Sequence, residues 1–139
     1  MLVLYYYSKA KKILSIINYI KSSNAFSSSG ETGYLQHQVN KALFAGTWNS
    51  KGMNVQFTNE GNTDGFNDAV HYEVEFYAPN PVKQGNKMYD EATFANAGCN
   101  KESYLWLMKG NKLMLYERLD KGNYIYQPGK LKYTLVMKQ

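Results

Sequence analysis

The 139-residue sequence has one cysteine, Cys99, two histidines, His37 and His71, and a single arginine, Arg118, among its sixteen basic residues. One cysteine excludes an intramolecular disulfide framework and a multi-cysteine zinc site. Neither histidine stands near Cys99 in sequence, so no nucleophile–base pair is indicated, and Cys99 is expected to pack as a small apolar residue. Arginine is the side chain suited to bidentate phosphate recognition, and its scarcity turns the reading away from nucleic acid. No apolar run approaches the ~20 residues that a membrane-spanning helix needs. There is no G-x-S-x-G, no phosphate-cradling glycine loop and no histidine pair at metal spacing, so no catalytic residue, cofactor or metal is expected.

What the chain does have is aromatic and apolar residues: 44% are hydrophobic and 15% aromatic, ample for one buried core. The thirteen tyrosines favour strands and half-wet positions over a dry helical core. The net charge is +5, but Lys9, Lys11, Lys12 and Lys21 supply four of those charges and no acid precedes Glu31. The basic excess therefore belongs to the N-terminal stretch alone.

That stretch opens with Met1–Tyr7, a short apolar segment fit for a strand or the first turns of a helix. From Ser8, Ile13, Ile16, Ile17 and Ile20 recur at helical spacing among lysines, which predicts an amphipathic helix ending near Ser22-Ser23-Asn24. The basic Lys9–Lys12, the apolar Ile13–Ile20 and the small-x-small Ser23-Asn24-Ala25 also fit an export segment over Met1–Ala25. Phe26–Gly33 reads as a Ser/Gly linker, giving residues 1–33 as a helix or export segment plus linker and residues 34–139 as the folded domain. Leu35, Val39, Ala42 and Leu43 then predict a short helix stopped at Gly46.

After Trp48 the period becomes two. Met53, Val55 and Phe57 alternate with polar residues, then Val70, Tyr72, Val74 and Phe76 alternate with His71, Glu73 and Glu75, a row expected to be a solvated strand face. Further strands are expected at Tyr89–Ala95, Tyr104–Met108, Leu113–Tyr116, Tyr124–Tyr126 and Leu131–Met137. Lys109-Gly110-Asn111-Lys112 marks a hairpin, and Pro128-Gly129 a break. The hairpin strands are apolar on both faces, so one face should be interior and the other covered, for example by the Leu35–Phe44 helix. The expected fold is mainly β: an antiparallel up-and-down barrel of about eight strands after one or two N-terminal helices.

Gly46-Thr47-Trp48, at the junction of helix and strands, resembles the G-x-W signature of lipocalins and small lipocalin-like bacterial domains. The resemblance implies a tryptophan across the barrel floor and a late-strand arginine stacked on it, here Trp48 and Arg118. It also implies a non-catalytic binder of a small hydrophobic molecule.

On that reading Tyr72, Phe76, Trp106, Met108, Met114 and Tyr116 are the candidate ligand-binding residues, apolar walls with tyrosine hydroxyls as anchors. The same residues equally suit a filled interior. The alternative function is then a protein-interaction module, a secreted inhibitor or effector, whose tyrosine-bearing loops Tyr77–Tyr89 or Lys121–Gln127 meet the partner. Nucleic-acid binding, on Lys121, Lys130, Lys132 and Lys138 interleaved with Tyr124, Tyr126 and Tyr133, ranks third. Glu60–Gly65 spaces oxygens as a calcium loop does, but its twelfth position is His71 where a glutamate is needed, and a turn explains it. A monomer with no transmembrane span is expected.

Overall fold

The computed structural model describes the backbone of Leu2–Ser8 and Ile13–Tyr19 and residues 30–75 and 82–138, with side chains in 36–75 and 82–138. The chain divides into two compact units, Met1–Glu31 and Thr32–Gln139. In the first, β1 (Leu2–Ser8) pairs antiparallel with β2 (Ile13–Tyr19), in register from Leu2↔Tyr19 to Ser8↔Ile13. The helix expected from Ser8 onward is therefore corrected to a strand over Ile13–Tyr19. Isoleucines at helical spacing are also β-branched, and the tyrosine-rich segment before them supplies a strand partner that a period alone does not reveal.

The helix α1 (Gly30–Leu43) begins inside the stretch read as linker. It ends where the amides of Phe44 and Ala45 both bond the Asn40 carbonyl, 2.9 and 2.8 Å. The strands follow: β3 (Gly46–Ser50), β4 (Met53–Phe57), β5 (Thr63–Asp64), β6 (Ala69–Val74), β7 (Val82–Gln84), β8 (Lys87–Asn96), β9 (Lys101–Lys109), β10 (Lys112–Asp120) and β11 (Tyr126–Met137). They form one antiparallel sheet in the order β5-β4-β3-β11-β10-β9-β8-β6, with β7 on β8. β3–β4–β5 and β7–β8–β9–β10–β11 pair in sequence order, β6 pairs with β8, and β11 returns to β3 through Met137↔Trp48. The two end strands meet at a single bridge, Asn62↔His71, beside a 2.8 Å bond from the Tyr72 amide to the Gly61 carbonyl. No ladder closes the sheet there.

Three expectations are corrected by this register. β11 runs unbroken through Pro128-Gly129, because β10 accommodates them with register shifts on either side of Tyr116. Cys99 is exposed in the β8–β9 turn with φ +61°, where no packing is available to it. The second apolar face of the β9–β10 hairpin is not covered by the helix, whose Val39, Leu43 and Phe44 pack on the central cluster. Leu105 on that second face is buried outside the central cluster. Its register partners are Glu91 and Tyr116, and the buried Tyr89 of β8 meets the Tyr116 ring edge-on at 5.3 Å. β7 pairs with this end of β8 through Val82↔Tyr89.

Alternation builds the central cluster. Val55 and Phe57 of β4, Tyr72 and Val74 of β6, Ala92 and Phe94 of β8, Tyr104 and Trp106 of β9, and Leu113 and Leu115 of β10 all point into it. Phe44 from the end of α1 enters among them, stacked on Tyr72 at 5.8 Å and edge-on to Trp106 at 5.3 Å. Phe57–Tyr72 and Phe66–Phe94 centroids lie 4.9 and 4.6 Å apart. Such offset and edge contacts fill space as a packed core does.

Candidate functional site

The residues expected to line one apolar cavity are divided between two faces. Tyr72 and Trp106 are buried in the central cluster and Met108 packs against it. Met114 and Tyr116 lie on the opposite face of β10, where the Tyr116 hydroxyl reaches Met114 Sδ at 3.9 Å. Phe76 lies outside the described residues. The expectation of a shared cavity is corrected accordingly: period-two alternation sends Leu113 and Leu115 inward and so turns Met114 and Tyr116 out.

Trp48 is fully buried, and its indole N–H donates to the Phe44 carbonyl at 2.7 Å, tying β3 to the end of α1. Arg118 does not stack on it. The guanidinium lies 4.4 Å from the centroid of Tyr126 and pairs with the Glu91 carboxylate, both partly buried. Arg118 follows Tyr116 by two residues on β10, so it shares the Tyr116 face, and Trp48 is interior.

The Tyr72 hydroxyl donates to the Thr58 carbonyl, and burial, followed by the nearby Glu60 charge, raises its pKa far above the ordinary tyrosine range. Tyr104 is raised likewise, by burial first and then by its 2.7 Å bond to Glu102. Both phenols are therefore protonated near neutrality and donate the hydrogen bonds described. In the Glu60–Gly65 loop, Asn62 Oδ1 lies 3.0 Å from His71 Nδ1, and the Asn62 amide donates to Thr58 Oγ1 at 3.2 Å, as a hydrogen-bonded turn does. Among the described residues no three His, Cys, Asp or Glu side chains converge as metal ligands. No helix there is long and apolar enough to cross a membrane.

Two surface features remain. The first is a β-ribbon. β10 pairs with β9 only as far as Glu117↔Tyr104, while its ladder with β11 continues to Asp120↔Tyr126, so the ribbon end runs past the β9 pairing. Its turn is held by Gly122 N to Asp120 Oδ1 at 2.7 Å, Lys121 N to Ile125 O at 2.8 Å and Ile125 N to Gly122 O at 3.0 Å. Asn123 and Tyr124 are left-handed, φ +53° and +60°, and Tyr124 and Ile125 are 92% and 57% exposed. Leu119 and Leu131 add exposed apolar surface on the same two strands. At the ribbon base, a Cβ on Gly129 would come within 2.8 Å of Glu117 Oε2, the end of a flexible, part-exposed side chain that can move aside.

The second feature is a cleft of about 220 Å³ between the β5–β6 turn and the β8–β9 turn, lined by Phe66, Asp68, Asn96, Asn100, Lys101 and Glu102 among others. Sequence reasoning passed it over because its two walls are distant in the chain. The recurrence of asparagine in both turns was the available signal.

The residues gathered for nucleic acid do not share a stacking face. Tyr133 packs edge-on against Phe66 at 5.0 Å and Tyr126 lies under Arg118. Lys132 is 3.7 Å from Glu117, and Lys138 bonds Asn54 at 2.9 Å. Comparison with protein-family models, curated proteins and solved structures gives no match to this chain.

Proposed function

We propose that residues 34–139 form a non-catalytic protein-interaction module whose contact element is the β10–β11 ribbon. The observation that carries this reading is a 92% exposed tyrosine held in a left-handed turn by three hydrogen bonds. A bulky residue in that conformation costs about 1–2 kcal/mol, a cost found where contact is needed. Tyrosine is also enriched at interface hot spots. The aromatic filling of the interior weighs for this reading over carriage of a small hydrophobic ligand. We read the sheet as a lipocalin-like up-and-down barrel with a gap between β5 and β6, which the return of β11 to β3 supports. The exposed Tyr124 and Ile125 of the ribbon tip suit a partner with an apolar groove.

The test is affinity capture from the producing cells with the full chain and with a Tyr124→Ala/Ile125→Asp double variant. The expected outcome is loss of a captured protein with an unchanged unfolding midpoint. Identical capture by both would remove the ribbon as the contact element.

A further inference from the structure

We propose that the β1–β2 hairpin docks the protein on an anionic lipid surface, a role separate from that of the ribbon. The register places Leu2↔Tyr19 and Leu4↔Ile17 on one face and Tyr5↔Ile16 and Tyr7↔Leu14 on the other, since positions two apart share a face. Both faces of the hairpin are therefore apolar. Two strands cannot cover their own faces, and a hairpin by itself is marginally stable in water. Within Met1–Glu31 the other described residues are Gly30 and Glu31, at the start of α1, so the described part of this unit holds no second layer for either face.

Charge decides what covers them. Lys9, Lys11 and Lys12 fall between the two strands in the chain and Lys21 follows the second, with no acid before Glu31. A second copy would bring these four positive charges against the same four, whereas a layer of anionic headgroups attracts every one of them. That layer also offers apolar depth beside its charge, and Tyr5, Tyr6, Tyr7 and Tyr19 are of the residue type enriched where acyl chains give way to headgroups. Each strand has seven residues, short of the ~9–11 that a membrane-spanning strand needs. The hairpin is also a two-stranded sheet, so β1 and β2 each keep one edge outside the ladder, and open edges are excluded from the hydrocarbon interior. It therefore settles in the headgroup boundary, where water still reaches those edges.

The test is co-sedimentation of the full chain with vesicles of phosphatidylcholine alone and of equal parts phosphatidylcholine and phosphatidylglycerol. The expected result is binding to the mixed vesicles only, weakening as salt is raised. Lysines near such a surface contribute roughly fivefold each, so Lys9→Gln/Lys11→Gln/Lys12→Gln should weaken partitioning about a hundredfold. Ile16→Trp places a reporter in the hairpin: brominated lipid should quench its added fluorescence and spare that of the unsubstituted chain, whose Trp48 and Trp106 are buried. The Tyr124→Ala/Ile125→Asp variant should bind the vesicles as the unsubstituted chain does. No binding to mixed vesicles, equal binding to both kinds, no added quenching with Ile16→Trp, or loss of binding with the ribbon variant would overturn the proposal. So would a dimer in lipid-free solution that Leu4→Ser/Ile17→Ser abolishes, which would make a second copy the cover.

Discussion

The central cluster and the β10–β11 ribbon use the same residue types to opposite ends. In the cluster, Trp48, Phe44 and Phe66 are buried, Phe44 and Phe66 against other rings, and the Trp48 N–H finds a carbonyl. In the ribbon, Tyr124 and Ile125 are exposed, and the hydrogen bonds hold the backbone while leaving the side chains uncovered. An aromatic residue therefore does not declare its role by identity. The neighbouring strands decide it: β9 stops pairing at Tyr104↔Glu117, and the β10–β11 ladder continues without it.

The sharpest way to break the contrast is in the interior. Trp48→Ala should destabilise by about 3–5 kcal/mol, lowering the urea midpoint by the largest margin of any substitution considered, because it leaves a cavity and an unpaired Phe44 carbonyl. Gly65→Ala comes next. Its φ is +77° and a Cβ would lie 1.9 Å from the Asn54 carbonyl oxygen, so the backbone of β4 must shift, at a cost of about 2–4 kcal/mol in the same assay.

At the ribbon base the effect should be smaller. Glu91→Gln removes the charge partner of Arg118 and should cost about 1 kcal/mol, since the pair is only partly buried; a cost equal to that of Trp48→Ala would show that the ribbon belongs to the cooperative core. At the ribbon tip, Tyr124→Gly relieves the left-handed turn and should leave stability unchanged or raise it by up to about 1 kcal/mol. Protein capture should be lost at the same time. A fall in stability instead would make Tyr124 a structural residue.

The smallest effect is a pH dependence at Asp90, the register partner of Trp106 on the cluster side of β8. The residue keeps an exposed surface, yet burial of its carboxyl raises the pKa. A carboxylate raised in the folded state opposes folding when charged. Its contribution is therefore most favourable below the unfolded pKa and is lost as pH rises through the folded one. Asp90→Asn should raise the unfolding midpoint at pH 7 and leave it unchanged at pH 3; the reverse order would contradict the sign.

Where the sequence was readable, the reason was local. β4 falls on Met53–Phe57 as the alternation predicts, and Lys109↔Lys112 closes a turn of Gly110-Asn111 with Gly110 at φ +61°. The helix ends before Gly46 as expected, with Val39 and Leu43 packed against the central cluster. Where it misled, two elements had to meet. The Ile13–Tyr19 stretch has a helical spacing, and only Leu2–Ser8 beside it makes it a strand. Of the candidate site, Tyr72, Trp106 and Met108 do gather, while the departure of Met114, Tyr116 and Arg118 to the other face became visible only with the register.

The amino-acid sequence by itself determined that this is a mainly antiparallel β protein with a helix leading into it, because side-chain periods of 2 and 3.6 are properties of consecutive residues. Only the tertiary structure decided that the interior is filled by rings, that Arg118 serves Tyr126 and Glu91, and that Tyr124 stands uncovered. Those outcomes depend on which residues distant strands bring opposite one another, and alternation assigns a face without naming what will cover it.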